Sequence, residues 1–277
     1  MRRLLAVIGR DVSQSLSPRI HRAAADALSL DVAYVPISVR DVTHFGLAVD
    51  ALRCIGALGA NVTIPYKAPA FALADNVSNT ARQIGAVNTL TFASDGRIQG
   101  DNTDGPGLLR VLSQLPPGVF DRVQILGSGG AAKAAAWAVA QLNTGAVHVT
   151  ARRGAEAVAD LAGGTAHPLG PIDGVTLVIS AIPGDGDLAK RVLEAWVDDG
   201  QRPIVCDLAY GGVDRESPLA LLARSAGLTA FDGRAMLAEQ GALSLSLWTG
   251  GELARIREAM RASLALPPHF DSHPGRD

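Results

Sequence analysis

Along the chain, short apolar runs alternate with longer stretches in which apolar residues recur at helical spacing. Leu4–Ile8, Ala33–Ile37, Ala60–Ile64, Asn88–Phe92, Val123–Leu126, Val147–Thr150, Leu177–Ser180 and Ile204–Leu208 read as strands. Ser17–Ala27, Val42–Leu52, Ala68–Leu73, Gly105–Leu112, Ala131–Leu142, Ala155–Leu161, Leu188–Trp196, Pro218–Ala226 and Leu237–Trp248 read as helices. This alternation predicts an α/β protein with mostly parallel sheets and helices on both faces. There is no internal repeat at a fixed period and no low-complexity block.

The pattern breaks at Gln114–Asp121, QLPPGVFD, where two prolines and a glycine interrupt it. Two domains are expected: a first over 1–105, completed by C-terminal helices in 238–277, and a second over 106–237. The second opens on a strand followed by a glycine-rich turn. Polar residues after Ala238 make sense if that last helical stretch returns to the first half.

Residues 60–67, ANVTIPYK, do not fit a simple buried strand. Counting in twos puts Val62, Ile64 and Tyr66 on a core side, and Asn61, Thr63, Pro65 and Lys67 on the other. That second row gathers an amide, a hydroxyl and an amine where a proline ends the strand.

Composition narrows the class. A hydrophobic share of 48% with 30 glycines and few aromatics suits a helix-and-sheet enzyme rather than a disordered chain. The formal charge of -2, with no basic run, argues against nucleic acid and anionic membrane as partners. Cys54 and Cys206 lie in apolar surroundings without metal-ligand spacing, so both are expected to be buried, reduced thiols in a cytoplasmic protein. The start, MRRLLAVIGR, is too short in apolar residues for a secretion signal and reads as the first strand. No run approaches the roughly 18–20 apolar residues of a membrane span. The Pro-rich tail LPPHFDSHPGRD is expected to fray.

The strongest single signature is VQILGSGGAAKAAAWAVAQL. Gly127, Gly129 and Ala132 fit G-x-G-x-x-[GA] between a strand and an alanine-rich helix. The first glycine permits a tight turn, and the second lets backbone N–H groups approach a pyrophosphate. The small third residue allows close helix–strand packing, and the helix N-terminus adds positive potential. Gly127, Ser128, Gly129, Gly130 and Ala131 are the candidate phosphate cradle. After the next strand, Ala151 stands where an acid would hold a ribose 2′-hydroxyl, and Arg152 and Arg153 follow. Two guanidiniums suit a 2′-phosphate, so NADP is favoured over NAD.

Polar clusters punctuate the first half. Ser15 and Ser17 precede Pro18, and Ser17 alone is explained by helix capping. Asn88 opens a strand in GAVNTL, and GDNTDG holds Asp101, Asn102, Thr103 and Asp104, a set that a plain turn could also use. With Asn61, Thr63 and Lys67 they form no metal-ligand cluster. They match a polyhydroxylated carboxylic acid: hydroxyls and amides for its carboxylate and ring hydroxyls, Lys67 and Asp104 for proton handling.

The segments SLSP, GANVTIPYK, GAVNTL, GDNTDG, GSGGAA, CDLAY and DGRAML-x-x-Q-x-A followed by LWTG, in that order, resemble the shikimate dehydrogenase family across nearly the whole chain. The resemblance implies reversible reduction of 3-dehydroshikimate to shikimate with NADPH, in chorismate and aromatic amino-acid biosynthesis. It implies a substrate domain and a Rossmann-type nucleotide domain with a cleft between them, and a monomer or homodimer whose only other partner is the small-molecule substrate. By that resemblance Ser15 and Ser17 bind the substrate carboxylate. Thr63, Asn88, Asp104, Tyr210 and Gln240 contact ring hydroxyls or carboxylate, Asn61 lines the same pocket, and Lys67 is the general acid/base. Ala181, Ile182, Leu208, Gly233 and Met236 lie near the nicotinamide, and no metal is required.

The chain departs from the family pattern in four places. Asp11-Val12-Ser13-Gln14 replaces a Pro-Ile-x-His run, His21-Arg22 replaces His-Asn, Ala151-Arg152-Arg153 replaces Asn-Arg-Thr, and Ser180-Ala181-Ile182 replaces Asn-Ala-Thr. The first two border the carboxylate pocket, which leaves a quinate or aminoshikimate dehydrogenase as an alternative. The last two alter hydrogen bonding to the nucleotide. A non-catalytic nucleotide-sensing module is the alternative from another class. A tetrahydrofolate-linked dehydrogenase shares the two-domain plan, but SLSP and GDNTDG argue against it.

Overall fold

The computed structural model describes residues 3–182, 187–198 and 200–266. The proline-rich tail beyond Leu266, with the end of the segment expected to complete the first domain, lies outside the described residues. The elements begin with β1 (Arg3–Gly9), α1 (Ser17–Ala27), β2 (Val32–Ser38), α2 (Val42–Cys54), β3 (Gly59–Val62) and α3 (Lys67–Leu73). They continue with β4 (Asn76–Val77), α4 (Asn79–Ile84), β5 (Thr89–Phe92), β6 (Ile98–Asp101), α5 (Asp104–Leu112), β7 (Arg122–Leu126), α6 (Gly130–Ala140) and β8 (Ala146–Ala151). The remainder is α7 (Ala155–Ala162), β9 (Thr165–Pro168), β10 (Leu177–Ser180), α8 (Asp187–Asp198), β11 (Ile204–Asp207), α9 (Pro218–Ser225), β12 (Ala230–Phe231), α10 (Arg234–Thr249) and α11 (Leu253–Ser263). The chain divides into two compact units, one built from residues up to Gly107 together with the stretch beginning at Leu237, the other from Leu108–Met236.

The first unit holds a six-stranded sheet in the order β2-β1-β3-β5-β6-β4. β5 runs antiparallel to both β3 and β6, against the expectation of parallel neighbours, while the other pairings are parallel. The reason is local. Only Ala93–Arg97 joins β5 to β6, closed by Ala93 N donating to Arg97 O and turning at Gly96 (φ +85°). A parallel crossover needs a dozen residues or more.

One face of the sheet packs Ala6, Ile8, Val62 and Leu90 against Phe45 and Tyr66, whose rings stack at 5.1 Å. Ile64 does not join this core, contrary to the expectation from alternation. The strand ends at Val62, the turn that follows breaks the period of two, and Ile64 is 57% exposed. α10 covers the sheet where Trp248 donates its indole N–H to Leu90 O at 3.0 Å. A Cβ on Gly59 would sit 2.2 Å from that carbonyl and 2.3 Å from the indole nitrogen, so the fit requires glycine there. Cys206 is buried, but Cys54 is exposed: it is the last residue of α2 and lies outside the core stripe of Phe45, Val49 and Leu52.

The second unit is an all-parallel sheet in the order β12-β11-β10-β7-β8-β9. That order reverses direction beside β7, the topology of dinucleotide-binding sheets, which take ligands at the carboxyl ends of the strands around the switch point. α6 follows β7 directly, and Ala132, Ala134, Ala135, Ala136 and Ala138 are fully buried. Methyl-sized side chains let its axis lie close to the sheet. Among the described residues no helix is long and apolar enough to cross a membrane.

Candidate active site

In the first unit the loops after β1, β3 and β6 and one face of α10 converge. β3 ends at Val62 and a tight turn follows, with Tyr66 N donating to Thr63 O at 2.9 Å across a cis Ile64–Pro65 peptide. Tyr66 is anchored in the core, and its hydroxyl donates to Val39 O at 2.7 Å, so the backbone that presents Lys67 is fixed from below. Asp104 opens α5 two residues after Asn102. Lys67 Nζ lies 2.6 Å from Asp104 Oδ2, with the two side chains 17% and 8% exposed. A charge-assisted bond of this length, shielded from bulk water, holds an ammonium ready to hydrogen-bond a second oxygen.

Behind the pair lies a buried polar network whose direction is set by backbone groups. Asn88 O can only accept, so Asn61 turns its amide nitrogen to it at 3.2 Å, and the Tyr34 hydroxyl therefore donates to Asn61 Oδ1 at 2.7 Å. Thr103 N can only donate, so Asn88 presents Oδ1 to it at 2.8 Å and directs Nδ2 toward Thr103 Oγ1 and, at 3.4 Å, Gln240 Oε1. Gln240 in turn spends its Nε2 on Leu237 O at 2.9 Å. The hydroxyls of Thr89, Thr103 and Ser244 link Asn61 to Asn88 at 2.9–3.3 Å. The long Asn88–Gln240 contact is the weakest link and the one a ligand oxygen can replace most easily.

Asn61 is engaged on all sides within this network and is 6% exposed. Asn88, Asp104 and Gln240 are buried to a similar degree. A Cβ on Gly107 would touch Gln240 N at 2.9 Å, which places the first turn of α5 directly on α10.

The serine loop belongs to the same unit. A Cβ on Gly9 would meet the Thr63 methyl at 2.5 Å and Val12 at 2.7 Å, so the loops after β1 and β3 run side by side. Ser15 Oγ accepts from Ser17 N at 3.2 Å at the head of α1. Ser17 O accepts from Nδ1 of His21 at 2.8 Å, which fixes that tautomer. His21 stacks on Tyr34 at 3.9 Å with Nε2 buried and unpartnered, and burial pushes its pKa down to about 4.

In the second unit, Gly127 adopts φ +115°, and a Cβ there would approach Ala181 O at 3.2 Å. Gly129 caps α6 and has open space around it, so the cradle of Gly127, Ser128, Gly129, Gly130 and Ala131 fits the pyrophosphate of a dinucleotide. Arg152 and Arg153 are exposed just after β8, and a Cβ on the adjacent Gly154 would lie 3.8 Å from the Ser128 side chain. Ala181 and Ile182 follow β10, Leu208 and Tyr210 follow β11, and Gly233 and Met236 follow β12. Leu208 N donates to Ser180 O, and Gly233 backs onto the Leu208 carbonyl, where a Cβ would lie 2.2 Å away. Burial raises the pKa of Asp207 to about 6 despite hydrogen bonds from Ser217 and Ala209 N.

Lys67, Asp104, Asn88, Gln240, Asn61, Thr63, Ser15 and Ser17 thus lie in the first unit, while Tyr210 and all the cofactor candidates lie in the second. Tyr34, Thr89 and Ser244 were not singled out from sequence. Ser244 had one signal, its place one helical turn after Gln240 on the same face.

Comparison with known proteins gives a consistent result. The family described as shikimate dehydrogenase substrate binding domain matches residues 7–90. A shikimate dehydrogenase (NADP(+)) of Anaeromyxobacter sp. (strain Fw109-5) is 36% identical over 285 residues, covering 95% of this chain and 96% of its own. The crystal structure of shikimate dehydrogenase from Aquifex aeolicus superposes with a TM-score of 0.80 at 28% identity, covering 94% of this chain and 98% of that one. The Thermus thermophilus shikimate 5-dehydrogenase in complex with NADP(H) and shikimate gives 0.76 at 30% identity, covering 94% and 99%.

Proposed function

The chain belongs to the shikimate dehydrogenase family, and we propose that it reduces 3-dehydroshikimate reversibly to shikimate, with Lys67 and Asp104 as its proton-handling pair. It is an NADP-dependent oxidoreductase acting on a CH–OH group. NADPH, when bound, supplies a hydride to the substrate carbonyl carbon. Lys67 donates a proton to the oxygen as negative charge develops there, and in the reverse direction it takes the hydroxyl proton back. Asp104 orients the ammonium and accepts from a substrate hydroxyl. Asn88 and Gln240 hold ring hydroxyls, with Thr63 beside them, and Ser15 and Ser17 take the carboxylate.

The observation that carries the reading is the 2.6 Å Lys67–Asp104 contact at the edge of a buried amide network. Arg152 and Arg153 take the cofactor's 2′-phosphate, and the glycine turn takes its pyrophosphate. Tyr210 is a further substrate contact in this reading. The unpaired thiols of Cys54 and Cys206 agree with a cytoplasmic enzyme, working as a monomer or homodimer.

The test is a substrate panel with purified protein: shikimate and quinate, each with NADP and with NAD, at mildly alkaline pH. Shikimate with NADP is expected to turn over fastest. Brisk turnover of quinate with none of shikimate would overturn the assignment.

A further inference from the structure

Asp104 and Lys67 sit at the starts of two different helices, yet their heads meet at 2.6 Å. Side chains that long hold such a separation only if the two backbone segments are fixed to each other. The connecting groups can be traced. Lys67 O accepts from Val87 N at 3.0 Å, which ties the start of α3 to the segment leading into β5. The neighbouring carbonyl, Ala86 O, accepts from Asn102 Nδ2 at 2.9 Å. The other end of the same carboxamide, Asn102 Oδ1, accepts from Gly105 N at 3.1 Å.

Gly105 follows Asp104 in the first turn of α5. One side chain, 3% exposed, therefore spans from the peptide that holds Lys67 to the peptide that holds Asp104. Its polarity is unambiguous, because Ala86 O can only accept and Gly105 N can only donate.

We infer that Asn102 is a positioning residue for the reaction, setting the separation of Lys67 and Asp104 through its two backbone bonds. It touches no reacting atom. Its turn-forming role, the use first read for Asn in this loop, is served by the Gly105 bond alone, whereas the Ala86 bond ties that turn to the segment that holds Lys67. The inference rests on the proposed proton-handling role of the pair.

Displacing one member of a reacting pair by about an ångström costs up to about a hundredfold in rate. Two variants separate the bonds. Asn102→Ala removes both, whereas Asn102→Ser keeps an oxygen for Gly105 N but is too short to reach Ala86 O. Steady-state rates with shikimate and NADP, thermal stability, NADP affinity and the solvent deuterium isotope effect on kcat are measured for both, with Lys67→Ala alongside.

Asn102→Ala is expected to lose about ten- to a hundredfold in kcat with KM for shikimate changed less than about threefold. Asn102→Ser should show the same split at smaller size. In both, NADP affinity should be unchanged, and the isotope effect should rise because proton transfer has become slower. A folded variant with wild-type kcat, or a loss with no change in isotope effect, overturns the inference. If Asn102→Ala does not fold, Asn102→Ser decides. Full activity in Lys67→Ala would instead remove the role of the pair itself, and this inference with it. An inactive Lys67→Ala beside a wild-type-like Asn102→Ser removes this inference alone.

Discussion

The Lys67 ammonium and the Asp104 carboxylate, 37 positions apart in the chain, are each held at a helix start and meet at 2.6 Å. The structure around them explains why the contact persists. Tyr66 pins the turn before Lys67 into the core, and Gly107 seats the first turn of α5 on α10. Neither charged group is fully desolvated, so the pair avoids the full penalty of a buried ion pair while lying beside a buried amide network.

Removing the amine should act on chemistry more than on binding. Lys67→Ala is expected to lower kcat by about two to four orders of magnitude, the usual span for a general acid/base, with a modest change in KM for shikimate. Asp104→Asn keeps a carboxamide oxygen for the lysine but loses the charge, and should lose less. Steady-state kinetics on both variants check this, and near-normal turnover in Lys67→Ala would take it out of the mechanism.

Much of this arrangement was legible in the sequence, for definable reasons. The strand–glycine–helix unit at Val123–Leu142 carries its own turn chemistry, and β7 and α6 lie there. ANVTIPYK and GDNTDG announced themselves by polar residues where apolar ones were due. What escaped was short or set by distant partners. β4 and β12 have two residues each, and β9 contains a proline and a glycine-free polar run, so none has a period to detect. Ile64 reads as core only if the strand continues past Val62. The polarity of Asn61, Asn88 and Gln240 depends on groups from β2, the start of β5, the turn after β6 and α10, which no local window contains.

Cofactor choice should rest on the two exposed arginines. A charge-assisted hydrogen bond to phosphate contributes about 1.5–3 kcal/mol, so Arg152→Ala and Arg153→Ala should each reduce kcat/KM for NADP by about ten- to a hundredfold. NAD lacks the 2′-phosphate and should be used unchanged. The ratio of the two efficiencies is the measurement, and an equal fall with both cofactors would mean that the arginines act on structure instead.

α11 is joined to α10 by a buried charge cluster. Glu239, 2% exposed, accepts from Arg257 Nε at 2.5 Å and from Arg261 Nη1 at 3.4 Å, and Arg261 is itself 4% exposed. Taking away only the carboxylate leaves Arg257 and Arg261 both facing a neutral amide in place of their shared anion, so Glu239→Gln should destabilise the protein. Replacing both Glu239 and Arg261 by Met takes out the more buried of the two cations together with the anion and should recover part of that loss. Urea unfolding of the two variants against wild type gives the comparison, and a double variant less stable than Glu239→Gln contradicts the argument.

Acid should weaken the first unit at its buried histidine. His21 is neutral in the folded protein, with Nδ1–H given to Ser17 O and Nε2 buried without a partner, and its pKa is depressed to about 4 against 6.5 for a free imidazole. Above pH 6.5 both folded and unfolded chains carry it neutral, and its contribution is complete. As pH falls from 6.5 toward 4 the unfolded chain takes up a proton that the folded chain refuses, and about 3 kcal/mol is lost across that window. Asp207 in the second unit works in the opposite sense. Its carboxyl is raised from 3.8 to about 6, so the stability that its retained proton gives below pH 3.8 is lost as pH rises through 6. Between pH 6 and 4, acid therefore favours the second unit and disfavours the first through these two groups. Amide exchange corrected for intrinsic rate should quicken in β1 and β3 as pH falls over this range. His21→Phe, which keeps the stack on Tyr34 but cannot protonate, should flatten that dependence, while Asp207→Asn should leave β1 and β3 as in wild type and alter only β10 and β11. An unchanged slope in His21→Phe would assign the acid sensitivity of the first unit to other groups.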